Sequence, residues 1–141
     1  MCPITYLSHE IFDEIVDHCQ AEYPLEACGI LLGTSAPRQT RVTDIVRAKN
    51  IKRSSVRYEI DPSTLHRTHF TAEMKGLEVV GFYHSHPDLP SEPSEYDAEH
   101  ALSGQIYLIV SLQVKGRKKP TAWRWSSEVD RFLKEELVIQ P

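Results

Sequence analysis

The chain has 141 residues, 40% of them hydrophobic and 26% charged, with a formal net charge of −4. That length and balance predict one domain spanning 1–141 with a hydrophobic core of its own, and they argue against a general nucleic-acid binder; no segment approaches membrane-spanning length. Cys2, Cys19 and Cys28 show no C-x-x-C spacing and the start lacks the pattern of a signal peptide, so reduced thiols and a cytoplasmic location are expected.

Ile4 to Leu7 predicts a short strand, after which Ser8 caps a helix of about fifteen residues. Ile11, Ile15, Val16 and Cys19 form its apolar stripe, and Tyr23-Pro24 ends it. The apolar run Cys28 to Gly33 predicts a central strand covered on both faces, with a second strand over Thr40 to Arg47. The polar stretch Lys49 to Arg57 reads as a mobile loop before a strand at Tyr58-Glu59-Ile60. Asp61-Pro62 starts a helix with Asp as cap and Pro in the first turn. It runs to about Lys75, where Gly76 stops it.

Val79 to Tyr83 predicts another strand, which leads directly into His84-Ser85-His86-Pro87. A proline-rich turn follows, then a helix from Ser94 to about Leu102. Ile106 to Leu112 reads as a central strand. Thr121 to Trp125 is its hairpin partner across a basic turn around Gly116. The tail from Val129 is compatible with helix or strand, and Leu137-Val138-Ile139 favours a short final strand. These elements assemble into an α/β fold, a curved mixed β-sheet with helices on its faces.

The chemistry concentrates at the histidines. In a strand, residues i and i+2 project to one side, so His84 and His86 share a face. Asp97 falls in the first turn of the next helix, from which the chain can fold back toward them. Two neutral imidazoles and one carboxylate are the ligand set of a catalytic zinc with a fourth position left for water. Each part also has a plain explanation: histidines pair by chance, and Ser-x-x-Asp is a common helix start. The order of strand, H-S-H-P, turn and S-x-x-D favours the metal.

Hydrolysis at such a metal needs a group that takes a proton from water and returns it to the leaving group. Neither H-E-x-x-H nor the deaminase pattern of H-x-E with C-x-x-C is present. Glu26, between Pro24 and a buried-type strand, is the best candidate; a salt-bridged glutamate at a strand edge is the competing account. Glu92 and Glu95 rank lower, on a turn and an exposed helix start.

Glu26, His84-Ser85-His86-Pro87, Ser94 and Asp97 together resemble the zinc signature of the JAMM (MPN+) metalloproteases, a distant glutamate followed by H-[ST]-H-P and S-x-x-D. The flanking residues Tyr23 to Gly29, Gly81 to Tyr83 and Pro93 to Asp97 extend the likeness. The short form is similar to the prokaryotic single-domain branch. The resemblance implies a JAB/MPN fold of cytidine-deaminase-like architecture, with one zinc per chain on His84, His86 and Asp97. It implies Glu26 as general base toward zinc-bound water and Ser94 as hydrogen-bond donor to that water or to the oxyanion. The implied activity is cleavage of a peptide or isopeptide bond at the C-terminal tail of a ubiquitin-like (β-grasp) or sulfur-carrier protein, by a monomer or homodimer. No insertions like those behind lysine-63-linkage selectivity in eukaryotic relatives are visible.

Three rivals remain at this point. A non-catalytic, metal-stabilised interaction module needs a fourth ligand, for which His100 is the nearby candidate. A nucleic-acid role is opposed by the acidic charge and the lack of a basic stripe. A cysteine-protease role for Cys28 is opposed by its place in a core-type strand.

Overall fold

The computed structural model describes residues 3–112 and 118–141, with the side chains of 118 and 119 left aside. Among the described residues, seven strands and three helices follow in the order β1 (Ile4–Ser8), α1 (His9–Glu22), β2 (Cys28–Ala36), β3 (Gln39–Ala48), α2 (Pro62–Met74), β4 (Glu78–Pro87), α3 (Glu95–Glu99), β5 (Ile106–Leu112), β6 (Lys118–Ser126) and β7 (Arg131–Gln140). The spatial order is β1-β3-β2-β4-β5-β6-β7, and β7 returns to β1, so the sheet's curvature runs to a closed barrel. The pairs β1–β3, β4–β5 and β7–β1 are parallel and the others antiparallel. This is the mixed α/β sheet with helices on its faces that the element pattern predicts.

Period-two alternation divides the apolar residues between two clusters. Ile106, Leu108 and Val110 join Leu7, Leu31, Tyr83 and the Ile15, Val16, Cys19 stripe of α1. Tyr107 instead joins Ile30, Leu32, Phe82 and Ala72 of α2. Gly81 is required where β4 and β5 approach: a Cβ there would lie 2.0 Å from the Ile106 carbonyl oxygen. Barrel closure is stitched by polar groups, with Thr5 Oγ1 donating to Glu135 at 2.9 Å. Arg124 pairs with the same carboxylate and donates to Thr40 Oγ1 at 3.0 Å.

Local signals act as expected at the helix starts. Ser8 Oγ accepts from the Ile11 N–H at 3.1 Å, and Asp61 accepts from the Ser63 N–H at 2.8 Å with Pro62 in the first turn. Gly76 and Gly104 take positive φ, at 72° and 76°, which glycine adopts without a Cβ clash.

Three expectations need correction. Tyr58-Glu59-Ile60 forms no strand, because the Glu59 N–H is taken by the Asn50 side chain instead of a neighbouring strand. The Ser94 helix stops at Glu99, not Leu102; the Leu102 N–H donates to the Tyr107 hydroxyl at 2.8 Å, outside any helical ladder. The final strand is ten residues long, since pairing with β1 and β6 recruits polar residues that carry no apolar signal. The basic turn around Gly116 lies outside the described residues. Among the described residues, no helix is long and apolar enough to cross a membrane.

Candidate metal centre

Parity in β4 builds the site. Phe82, His84 and His86 share one face, and Phe82 packs into the cluster beneath α2. Ser85 points the other way, where its hydroxyl accepts from the Ala27 N–H at 2.8 Å. The Ser85 N–H donates to the Ala27 carbonyl at 3.1 Å. These two bonds extend the antiparallel β2–β4 register past its last pair, Cys28 opposite His84. Two residues further, that register sets Glu26 opposite His86 with its side chain on the histidine face.

Asp97 arrives from α3 by a capping box. Ser94 is the N-cap, its Oγ accepting from the Asp97 N–H at 3.1 Å, while Asp97 Oδ2 accepts from the Ser94 N–H at 2.9 Å. The same Oδ2 lies 3.2 Å from His84 Nε2 and 3.2 Å from His86 Nε2, and the two nitrogens are 3.2 Å apart. Three ligand-type atoms thus form an equilateral triangle. Tetrahedral bonds of about 2.0 Å to nitrogen and oxygen place neighbouring ligand atoms roughly 3.3 Å apart, so the triangle fits a zinc-sized ion.

Glu26 completes a buried group of four with these residues, all of whose ligand atoms lie within 4.8 Å of one another. Its Oε1 is 3.9 Å from His84 Nε2, beyond the triangle's edge length. That oxygen is buried without a hydrogen-bond partner, and the residue is 2% exposed. A buried carboxylate oxygen with no partner is costly and marks a place for a water or a cation.

The electrostatics match this arrangement. Burial pushes the Glu26 carboxyl up to about 9, helped by the Asp97 charge. Burial lowers the His84 pKa against the pull of Asp97, leaving the neutral ring that a metal requires. Burial alone would raise Asp97; the close approach of His84 and then His86, with the hydrogen bond from the Ser94 N–H, outweighs it and holds the carboxyl well below its usual range.

The Glu26 shift has a testable consequence for the metal-free protein. Between about pH 4.5 and 9 the folded chain keeps a proton on Glu26 that the unfolded chain has lost. Unfolding then releases a proton, so stability falls as pH rises through that window. Glu26→Gln carries no such penalty. The Tm advantage of metal-free Glu26→Gln over metal-free wild type should widen from about pH 5 to about pH 9. Parallel Tm curves across that range would contradict the burial account.

Several contributors carry no signal in the sequence. The Tyr58 ring stacks on His84 with centroids 4.5 Å apart, and its carbonyl accepts from the Tyr96 hydroxyl at 3.0 Å. His86 Nδ1 lies 2.8 Å from the Pro90 carbonyl oxygen, the kind of outer contact that fixes ring orientation and tautomer in metal sites. His100 stays outside the group: it is exposed, stacks on Tyr96 and bonds the Tyr96 carbonyl. Glu92 and Glu95 are exposed and also outside it. Cys28 is buried, with its thiol pushed up to about 12 by burial, so it is not a nucleophile.

Comparison with known proteins agrees with the geometry. A desampylase of Haloferax volcanii is 35% identical over 133 residues, covering 90% of this chain and 91% of its own. A Thermus thermophilus protein named a probable TtuB-protein conjugate cleaving protease is 28% identical over 107 residues, covering 75% and 69%. A solution structure of a Desulfitobacterium hafniense protein superposes with a TM-score of 0.86 at 24% identity, over 96% of this chain and 92% of that one; at this identity the likeness concerns the fold. Residues 8–126 match the family described as prokaryotic homologs of the JAB domain, and with the histidine triangle set on that fold, the chain belongs to this family.

Proposed function

We propose that this chain is a zinc-dependent metallopeptidase that hydrolyses a peptide or isopeptide bond at the C-terminal tail of a ubiquitin-like or sulfur-carrier protein. The observation that carries this reading is the 3.2 Å triangle of His84, His86 and Asp97 beside a partnerless Glu26 oxygen. The names of the Haloferax and Thermus relatives support the substrate class. The names of those relatives also favour a hydrolase over a passive module, and His100, the candidate fourth ligand of a closed structural site, bonds the Tyr96 carbonyl instead.

Zinc held by His84, His86 and Asp97 would supply Lewis-acid activation of water and of the scissile carbonyl. Glu26 accepts the proton of the attacking water at Oε1 and passes it to the departing nitrogen. Its carboxyl, held high by burial, falls when positive charge is placed beside it. A base poised in that range can both take and return a proton. The Ser94 oxygen already accepts from the Asp97 N–H, which leaves the hydroxyl proton free for the developing oxyanion. One such donor contributes about a hundredfold in rate.

Depth sets the substrate. Glu26 and His84 are 2% and 0% exposed, so the scissile bond must lie on a thin, flexible segment and not on a folded surface. A Gly-Gly tail meets that need because glycine lets the main chain approach closely.

Incubating the zinc-loaded protein with its host's β-grasp proteins, extended or conjugated at the C-terminus, should give the mass of the free carrier tail. Carriers that stay intact after full zinc loading would end the proposal. Carriers bound but uncut would point to the interaction module.

A further inference from the structure

Glu26 stands just ahead of β2, so neither of its backbone groups has a partner in the sheet ladder. Buried main-chain groups need partners, and the segment 49–59 provides them. The Glu26 N–H donates to the Ser54 carbonyl at 2.8 Å, and the Glu26 carbonyl accepts from Asn50 Nδ2 at 3.0 Å.

Asn50 spends the rest of its amide on the same segment. Nδ2 also donates to the Arg57 carbonyl at 3.0 Å. Its Oδ1 accepts from the N–H groups of Lys52 and Glu59 at 3.0 and 3.2 Å. A primary amide has two donor hydrogens and two acceptor sites, and all four are in use. The residue beside Glu59 is Tyr58, the ring stacked on His84. One side chain therefore ties the main chain of Glu26 to the loop that lays an aromatic ring on a ligand histidine. The Glu26 Oε1 itself has no hydrogen-bond partner, so main-chain placement and packing alone aim it.

We propose that Asn50 is a positioning residue: its side-chain amide fixes the Glu26 main chain and the Tyr58 ring relative to His84, and so aims the carboxylate. This rests on the reading of Glu26 as the base. Misplacing a reacting group by about 1 Å can cost on the order of a hundredfold in rate. Asparagine is the residue that fits. Aspartate has no hydrogen to give the two carbonyls, and glutamine would carry its amide one carbon too far.

Asn50→Asp isolates the effect, because it keeps the Oδ1 acceptor and replaces the NH2 facing the Glu26 and Arg57 carbonyls with oxygen. The probe is a β-grasp protein whose Gly-Gly end is joined to a lysine peptide. On it, kcat should fall about 10- to 100-fold while KM and zinc content stay near wild type. The amide of Glu26 should exchange hydrogen faster, since the segment that carries its Ser54 acceptor is no longer tied to its carbonyl. Asn50→Ser, which removes the whole amide and sets no carboxylate against the two carbonyls, should shift kcat the same way and serves if Asn50→Asp does not fold. In single-turnover assays, Asn50→Asp combined with Glu26→Gln should be no slower than Glu26→Gln alone, since the aim of an absent base no longer matters. Wild-type kcat in both Asn50 variants, or a further full loss in the double variant, would overturn the positioning role. If Glu26→Gln itself keeps the wild-type rate, it is the base assignment that fails.

Discussion

Replacing Glu26 by glutamine should lower kcat by about a thousandfold and leave the zinc content unchanged. Glutamine keeps the volume of the side chain in a position only 2% exposed, so packing is preserved. The proton acceptor is lost. Zinc should stay because Glu26 Oε1, at 3.9 Å from His84 Nε2, stands outside the 3.2 Å triangle that matches a tetrahedral edge. Steady-state rates on a cleavable carrier conjugate, together with elemental analysis of the same sample, measure both halves. A wild-type rate would remove Glu26 as base. A zinc-free variant would instead make Glu26 a ligand and require a different base.

His86→Ala should abolish both zinc and turnover. Removing one corner of the triangle leaves His84 and Asp97 as a two-ligand site. Losing an outer-shell partner alone costs about 10- to 100-fold in metal affinity, and losing a direct ligand should cost at least that much. The substitution also frees the Pro90 carbonyl from its 2.8 Å contact with His86 Nδ1, loosening the turn that leads to Ser94. Zinc titration against a chelator of known affinity gives the loss directly. Full occupancy in His86→Ala would contradict the ligand set. The pair of variants separates the roles, since one loses chemistry while keeping metal and the other loses both.

Comparison of particular elements shows which signals were local. The α1 stripe was legible by its helical period, the Ser8 and Asp61 caps by bonds made within one turn, and the runs that became β2, β4 and β5 by unbroken apolar character, which marks strands covered on both faces. β7 was legible only at Leu137-Val138-Ile139, because the rest of Arg131–Gln140 is mostly polar and partly exposed and is a strand through its neighbours. Tyr58-Glu59-Ile60 has the composition of a strand, yet the Asn50 amide claims the Glu59 N–H that a ladder would have used. The curvature of the sheet was expected; its closure depends on β7 lying parallel to β1.

The sequence by itself determined the common face of His84 and His86, because strand geometry places alternate residues on one side wherever the strand lies. It also determined the Ser94–Asp97 capping box, whose bonds span a single helical turn. Only the tertiary structure decided that Glu26 faces these groups. That depends on the antiparallel register of β2 against β4, continued past Cys28–His84 through the Ser85–Ala27 bonds, and a slip of one residue would have sent the carboxylate to the opposite face.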